Sequence, residues 1–85
     1  MAKGIHDERY RALIGELIRL RKAKGVSQVE LAGRLAKRQQ FVSKYEGGER
    51  RLDVVELLDI LEALDLDWRE ILRPYTKAPG EGARD

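Results

Sequence analysis

The sequence predicts an all-α fold: five short helices bundled around one small core. Three observations predict it. Leucine, isoleucine and valine recur at three- and four-residue spacing along most of the chain. Helix-opening chemistry stands ahead of four of those runs, at Asp7, Ser27, Asp53 and Asp67. No stretch alternates apolar and polar residues as a half-buried strand would.

Taken in order, Asp7 caps a first helix carrying Tyr10, Leu13, Ile14, Leu17 and Leu20 on one face and ending near Gly25. Ser27-Gln28-Val29-Glu30 is a capping box, in which the serine oxygen and the glutamate side chain each satisfy the other residue's backbone N–H. It opens a second helix with Leu31, Ala32 and Leu35 inward. After a break at Ala36-Lys37-Arg38, a third helix is expected from about Gln39 to Glu46. Gly47-Gly48 ends it, because glycine takes the left-handed conformation without a Cβ penalty. Asp53-Val54-Val55-Glu56 is a second capping box. The helix it opens runs to Leu64, with Leu57, Leu58, Leu61 and Leu64 as its apolar face. Asp67 caps a last short helix, Trp68 to Leu72, stopped by Pro74.

At 85 residues the chain has room for one domain, which buries about 60% of its unfolded surface. The expected organisation is a flexible segment 1–6, a bundle over 7–73, and a disordered tail over 74–85 that holds both prolines. There are no cysteines, which points to a reducing cytoplasm and away from disulfides or a cysteine metal cage. One histidine, His6, reads as an ordinary terminal residue. No metal, no cofactor, no membrane span and no signal peptide are expected. No Ser/His/Asp or Cys/His set exists, and the acids of the fourth helix, Asp59 and Glu62 among them, read as a solvated face, so no enzyme is expected.

The net charge of +2 conceals a strong division. Residues 1–51 carry 13 Lys and Arg against 6 Asp and Glu, whereas residues 52–73 carry two arginines against seven acids. One half of the molecule therefore suits a polyanion and the other does not.

The chemistry concentrates between Ser27 and Arg51: short helix, tight turn, short helix, glycine stop, basic loop. Two short helices joined in this way form a helix-turn-helix, whose second helix lies in the DNA major groove. Arg21, Gly25-Val26-Ser27-Gln28, Glu30-Leu31-Ala32, Leu35, Phe41-Val42-Ser43-Lys44-Tyr45-Glu46, Gly48, Leu61, Ala63-Leu64 and Leu66 together give a pattern over residues 10–72. It resembles that of the Cro- and lambda-repressor-like family, the xenobiotic-response-element type.

The resemblance implies a five-helix DNA-binding bundle acting as a transcriptional regulator on double-stranded DNA, usually a repressor that works as a symmetric homodimer. By position it implies that Gln39, Gln40, Ser43 and Lys44 face the bases and that Gln28 meets the phosphate backbone. Arg21 and Glu46 fall where the family has a partly buried ion pair. The periodicity agrees, since residues 39, 40, 43 and 44 form one stripe opposite Val42 and Tyr45. Arg38 lacks an oxygen to cap a helix and is assigned to phosphate, as are Arg50 and Arg51.

The family often has glycine and an apolar residue in the turn and a serine or threonine cap, where this chain has Ala36, Lys37 and Arg38. Ala36 takes a left-handed conformation only at a cost, which leaves open a differently built turn. Lys37 can lay its stem over the core. Phe41 suits a thymine methyl or packing on the second helix equally well, and Trp68 with Ile71 and Leu72 suits a dimer contact or a lid on the core. Two related functions use the same bundle: an antitoxin, which adds a protein partner, and a restriction–modification controller. A small hydrolase or nuclease is the remaining alternative.

Overall fold

A computed structural model describes residues 7–76 as five helices. They are α1 (Glu8–Ala23), α2 (Gln28–Arg34), α3 (Gln39–Glu46), α4 (Val54–Ala63) and α5 (Trp68–Leu72), and a single 3-10 turn, Arg73–Tyr75, follows them. Four of the five start on the side chains read from the sequence. Asp7 accepts from the Arg9 N–H at 2.8 Å and Asp67 from the Arg69 N–H at 2.9 Å. Both capping boxes close, Ser27 with Glu30 at 3.0 Å in each direction and Asp53 with Glu56 at 2.7 and 2.9 Å. These bonds satisfy backbone donors that no helix turn can reach.

Helix ends need the left-handed conformation, and the chain supplies it in two ways. Gly25 (φ +71°) and Gly48 (φ +83°) take it freely. Gly47 keeps an ordinary helical φ of −82°, so Gly48 alone makes the turn after α3. Ala36 and Asp65 take it against a Cβ penalty, each at φ +57°. At Ala36 the penalty is offset by geometry: the Lys37 N–H reaches back to the Ala32 carbonyl at 2.9 Å and closes the turn between α2 and α3. The turn is therefore left-handed even without glycine.

One core joins the first four helices. Ile14 and Leu17 of α1 meet Val26, Leu31 and Ala32, then Val42 and Tyr45 of α3, then Ile60 and Leu61 of α4 and Leu64 at its C-cap. Around it lie half-buried Tyr10, Leu13, Leu35, Phe41, Leu57 and Ile71. The expected face of α4 needs one correction: Ile60 is fully buried, while Leu58 is 45% exposed. Positions 57, 60, 61 and 64 share one stripe at 3.6 residues per turn, and position 58 sits at its edge. Leu66, beyond α4, folds its N–H onto the Leu61 carbonyl at 2.8 Å.

The tail also differs at its start. Pro74 and Tyr75 belong to the 3-10 turn, where proline's fixed φ and missing N–H fit the first positions, and Tyr75 is half-buried. The expectations for His6, for segment 1–6 and for the tail beyond residue 76 fall outside the described residues. Among the described residues no helix is long and apolar enough to cross a membrane.

The strained alanine generates an opposite-sign test. Ala36→Gly relieves a left-handed conformation and is expected to stabilise the fold by about 0.5–1 kcal/mol, even after the added freedom of the unfolded chain. Ala12→Gly, at an exposed position inside α1, is expected to destabilise it by about 1 kcal/mol. Urea melts of the two variants check the pair.

Candidate nucleic-acid interface

α3 is eight residues long and divides cleanly into two faces. Val42 and Tyr45 are buried, and burial pushes the Tyr45 phenol well above its usual range. Gln39, Gln40 and Lys44 are exposed on the other side, with Ser43 half-buried between them. The Ser43 hydroxyl donates to the Gln40 carbonyl at 3.3 Å. Arg38 is the N-cap residue in extended conformation, makes no side-chain capping bond, and is exposed. The four residues assigned to base edges thus share one accessible stripe at the N-terminal and central part of the helix.

Beneath that stripe lies a buried charge pair. Arg21 in α1 and Glu46 at the end of α3 meet through two parallel bonds, Nε to Oε2 at 2.7 Å and Nη2 to Oε1 at 3.0 Å. Their side chains are only 7% and 5% exposed. The third arm of the guanidinium, Nη1, donates to the Val26 carbonyl at 2.7 Å, which ties the α1–α2 turn to the same point. Desolvating two charges is costly, and the fork-to-fork geometry with a partner for every guanidinium nitrogen and both carboxylate oxygens is what offsets it.

Gln28, the first residue of α2, extends the network outward. Its Nε2 donates to Glu46 Oε1 at 2.9 Å, and its Oε1 accepts from Gln39 Nε2 at 3.3 Å. Gln28, assigned to phosphate from the sequence, also connects the ion pair to the exposed α3 stripe. The capping box around it gave no sign of this second role.

The cations flanking α3 are held by aromatic rings and by α4. Phe41 packs on the core and against Tyr45, the rings tilted with centroids 5.6 Å apart. The Lys37 ammonium lies 5.1 Å from the Phe41 centroid and the Arg50 guanidinium 4.9 Å, within cation–π reach. Arg50 also grips Glu56 bidentately, at 2.9 and 2.8 Å, and donates to the Arg51 carbonyl at 3.0 Å. The Arg50 guanidinium, then the Asp53 backbone, hold the Glu56 carboxyl down to about 2, from an ordinary 4.5. Any stability the pair adds is present above pH 4.5 and lost as pH falls toward 2. Arg51 lies over Tyr10 at 5.9 Å, and the Tyr10 hydroxyl accepts from the Leu52 N–H at 3.0 Å.

The structure therefore brings Arg21, Glu46, Gln28 and Gln39 into one network and sets Gln40, Ser43, Lys44 and Arg38 along the exposed side of α3. It turns Arg50 back onto Phe41 and Glu56. The seat of the Lys37 ammonium on the Phe41 ring was not foreseen, and Arg34 was missed as a support residue. Arg34 donates to the Ala63 carbonyl at 2.9 Å, bracing α2 against the end of α4, and a lone arginine in a last helical turn carries no sequence mark of such a bond. Among the described residues no group of three or more carboxylates or histidines is placed to hold a metal.

Comparison with known proteins agrees with this architecture. The family profile described as helix-turn-helix matches residues 17–71. An uncharacterized HTH-type transcriptional regulator, y4dJ, of Sinorhizobium fredii is 34% identical over 70 residues, spanning 81% of this chain and 91% of the relative. Among solved structures, an XRE-family like protein from Pseudomonas syringae pv. tomato superposes with a TM-score of 0.78 at 46% identity, covering 82% of this chain and 85% of the other. The restriction-modification controller protein C.AhdI from Aeromonas hydrophila superposes with a TM-score of 0.65 at 34% identity, covering 73% and 92%.

The depth of the Arg21–Glu46 pair sets the expected cost of breaking it. Glu46→Ala strands a buried guanidinium and is expected to lose about 3–5 kcal/mol. Arg21→Met with Glu46→Leu removes both charges together. It is expected to lose only about 1–3 kcal/mol, chiefly for the Val26 carbonyl left without its donor. Denaturant melts of the single and double variants give the coupling. Losses that simply add would contradict the pairing.

Proposed function

We propose that this chain, which belongs to the helix-turn-helix family, is a transcriptional repressor that places α3 in the major groove of a short palindromic operator. It is a DNA-binding regulator, and in this reading it represses by occupying promoter DNA. The observation that carries the reading is the two-faced α3, its polar stripe exposed and its opposite face locked into the core by Val42, Tyr45 and the Arg21–Glu46 pair.

In the proposed complex the first turn of α3 comes closest to the bases. Gln39 and Gln40 read base edges there, and a glutamine amide matches adenine, donating to N7 and accepting from the N6 amine. Ser43 and Lys44 lie one turn further along the same stripe. Arg38, Arg51 and the Gln28 amide meet phosphates, and Arg50 joins them by exchanging Glu56 for a phosphate oxygen. The DNA-binding unit is residues 7–73.

The working form is a cytoplasmic homodimer, matched to a two-fold operator. Four of the five large apolar side chains exposed among the described residues belong to α4 and α5, namely Val54, Val55, Leu58 and Trp68. They are the natural material for the contact between copies. A second reading, as a restriction–modification controller, is favoured by the 34% identity to C.AhdI over 92% of that protein. An operator lying ahead of methyltransferase and endonuclease genes would select it.

Selection of bound duplexes from a random pool is expected to return two inverted half-sites about one helical turn apart. A single unrepeated site would contradict the dimer. On the selected duplex, release of on the order of six to eight counterions is expected to weaken binding roughly 10³-fold or more between about 50 and 200 mM salt. Gln40→Ala is expected to relax the preference at one base pair per half-site without changing the salt slope, and Lys44→Ala to lower that slope by about one per subunit if the ammonium meets phosphate. A flat salt response, or glutamine variants that weaken every duplex equally, would overturn the assignment.

A further inference from the structure

One aromatic ring of α3 gathers cations from both flanks of the helix. The Lys37 ammonium comes from the turn before α3 and the Arg50 guanidinium from the loop after it, and they lie 5.1 and 4.9 Å from the Phe41 centroid. Phe41 is half-buried against the core and Tyr45, so the ring is fixed, whereas both cations are exposed. Two like charges on one ring repel, and an anion beside them relieves the repulsion. That anion is Glu56. Its Oε1 accepts from Arg50 Nη1 at 2.9 Å and its Oε2 from Nη2 at 2.8 Å. The Lys37 charge acts on the same carboxylate and helps to keep it ionised. A guanidinium grips phosphate in the same planar, two-bonded way. Nothing else in the fold depends on Arg50 staying there. Glu56 Oε1 also accepts from the Asp53 N–H at 2.9 Å, and Asp53 in turn caps the Glu56 N–H, so the α4 capping box survives the departure of Arg50.

We propose that Lys37, Phe41 and Arg50 form a phosphate site for the DNA backbone, and that Glu56 is an internal competitor for it, whose carboxylate must give up Arg50 before a phosphate can take it. This rests on the DNA-binding reading given above and adds Lys37, the ring and the competitor to it. Phe41 is a positioning residue here: it holds two cations side by side at one end of the exposed stripe. Glu56 keeps affinity below what the cations alone would give. It acts on phosphate contact, which every sequence offers alike, so it sets occupancy and leaves base preference to the stripe.

The test uses the whole protein and the duplex selected from the random pool. Glu56→Gln keeps an oxygen for the Asp53 N–H, so the capping box still closes. It sets an amide nitrogen against Arg50 Nη2, where two donors cannot bond. The variant is expected to bind about two- to fivefold more tightly for each subunit, with an unchanged salt slope. Glu62→Gln removes the same charge from an exposed position of α4. It is expected to change affinity by less than about twofold. Lys37→Ala and Arg50→Ala are each expected to lower the salt slope by about one per subunit. Phe41→Leu keeps apolar bulk but loses the seat for the cations, and is expected to weaken binding about two- to fivefold. That loss is expected to vanish when Lys37 and Arg50 are both alanine, because no cations remain to be placed.

If Glu56→Gln binds no more tightly than Glu62→Gln, Glu56 does not compete and the proposal falls. A salt slope that rises by about one per subunit in Glu56→Gln shows that Arg50 stays on Glu56 in the wild-type complex, which overturns the exchange. An unchanged slope in Lys37→Ala overturns the two-cation site. If wild type binds no duplex, the DNA-binding reading has failed and the proposal falls with it. A wild type that binds the selected duplex while these slopes and affinities stay fixed overturns the proposal alone.

Discussion

The fork-to-fork contact between Arg21 and Glu46 is the interaction on which the placement of α3 depends. An isolated helix of eight residues is not stable in water, and α3 has no side-chain N-cap to help it. It is held by two buried side chains and by this pair, whose third guanidinium arm also holds the Val26 carbonyl between α1 and α2. A buried ion pair adds little net stability over well-packed apolar residues, because desolvation nearly cancels attraction. What it does supply is one geometry. Three elements meet at a point where each guanidinium nitrogen and each carboxylate oxygen has a partner, and sliding α3 along α1 would leave charges unpaired.

Charge segregation along the chain has a structural counterpart. The basic half supplies α1 to α3 and the loop after them; the acidic half supplies α4 and α5. The two meet at Arg50 and Glu56, where the acid that completes the α4 capping box also anchors the loop that follows α3. Arg50 and Lys37 share the Phe41 ring, so positive charge is concentrated at that ring of α3. An anion approaching α3 meets Arg38 and Lys44 exposed, and Arg50 already engaged with Glu56.

The starts of α1, α2, α4 and α5 were legible in the sequence because caps are local chemistry, decided within three or four residues, whereas α3 has no side-chain cap and its start carried no such mark. The pairing of Arg21 with Glu46 was legible only through family resemblance, since 25 residues separate them. Three features were not legible. The left-handed Ala36 and Asp65 were hidden because tertiary packing overrides the glycine preference on which turn-reading relies. Burial of Ile60 in place of Leu58 was hidden because a leucine-rich helix has apolar side chains on more than one face. The inward turn of Arg50 was hidden because its partner belongs to the next helix, and a basic residue beside a glycine stop looks the same whether it faces a phosphate or a carboxylate.

The Arg21–Glu46 pair fixes α3 in place and is more than a general contribution to stability. Amide hydrogen exchange of the DNA-free Arg21→Met variant tests it most directly, read residue by residue under conditions where the variant remains folded. Lost protection is expected to be concentrated in α3, the Val26 turn and the start of α2, while the buried turns of α1 and α4 around Leu17 and Ile60 keep nearly wild-type protection relative to global stability. Uniform loss across all the helices, with α3 opening no sooner than the rest, would contradict it.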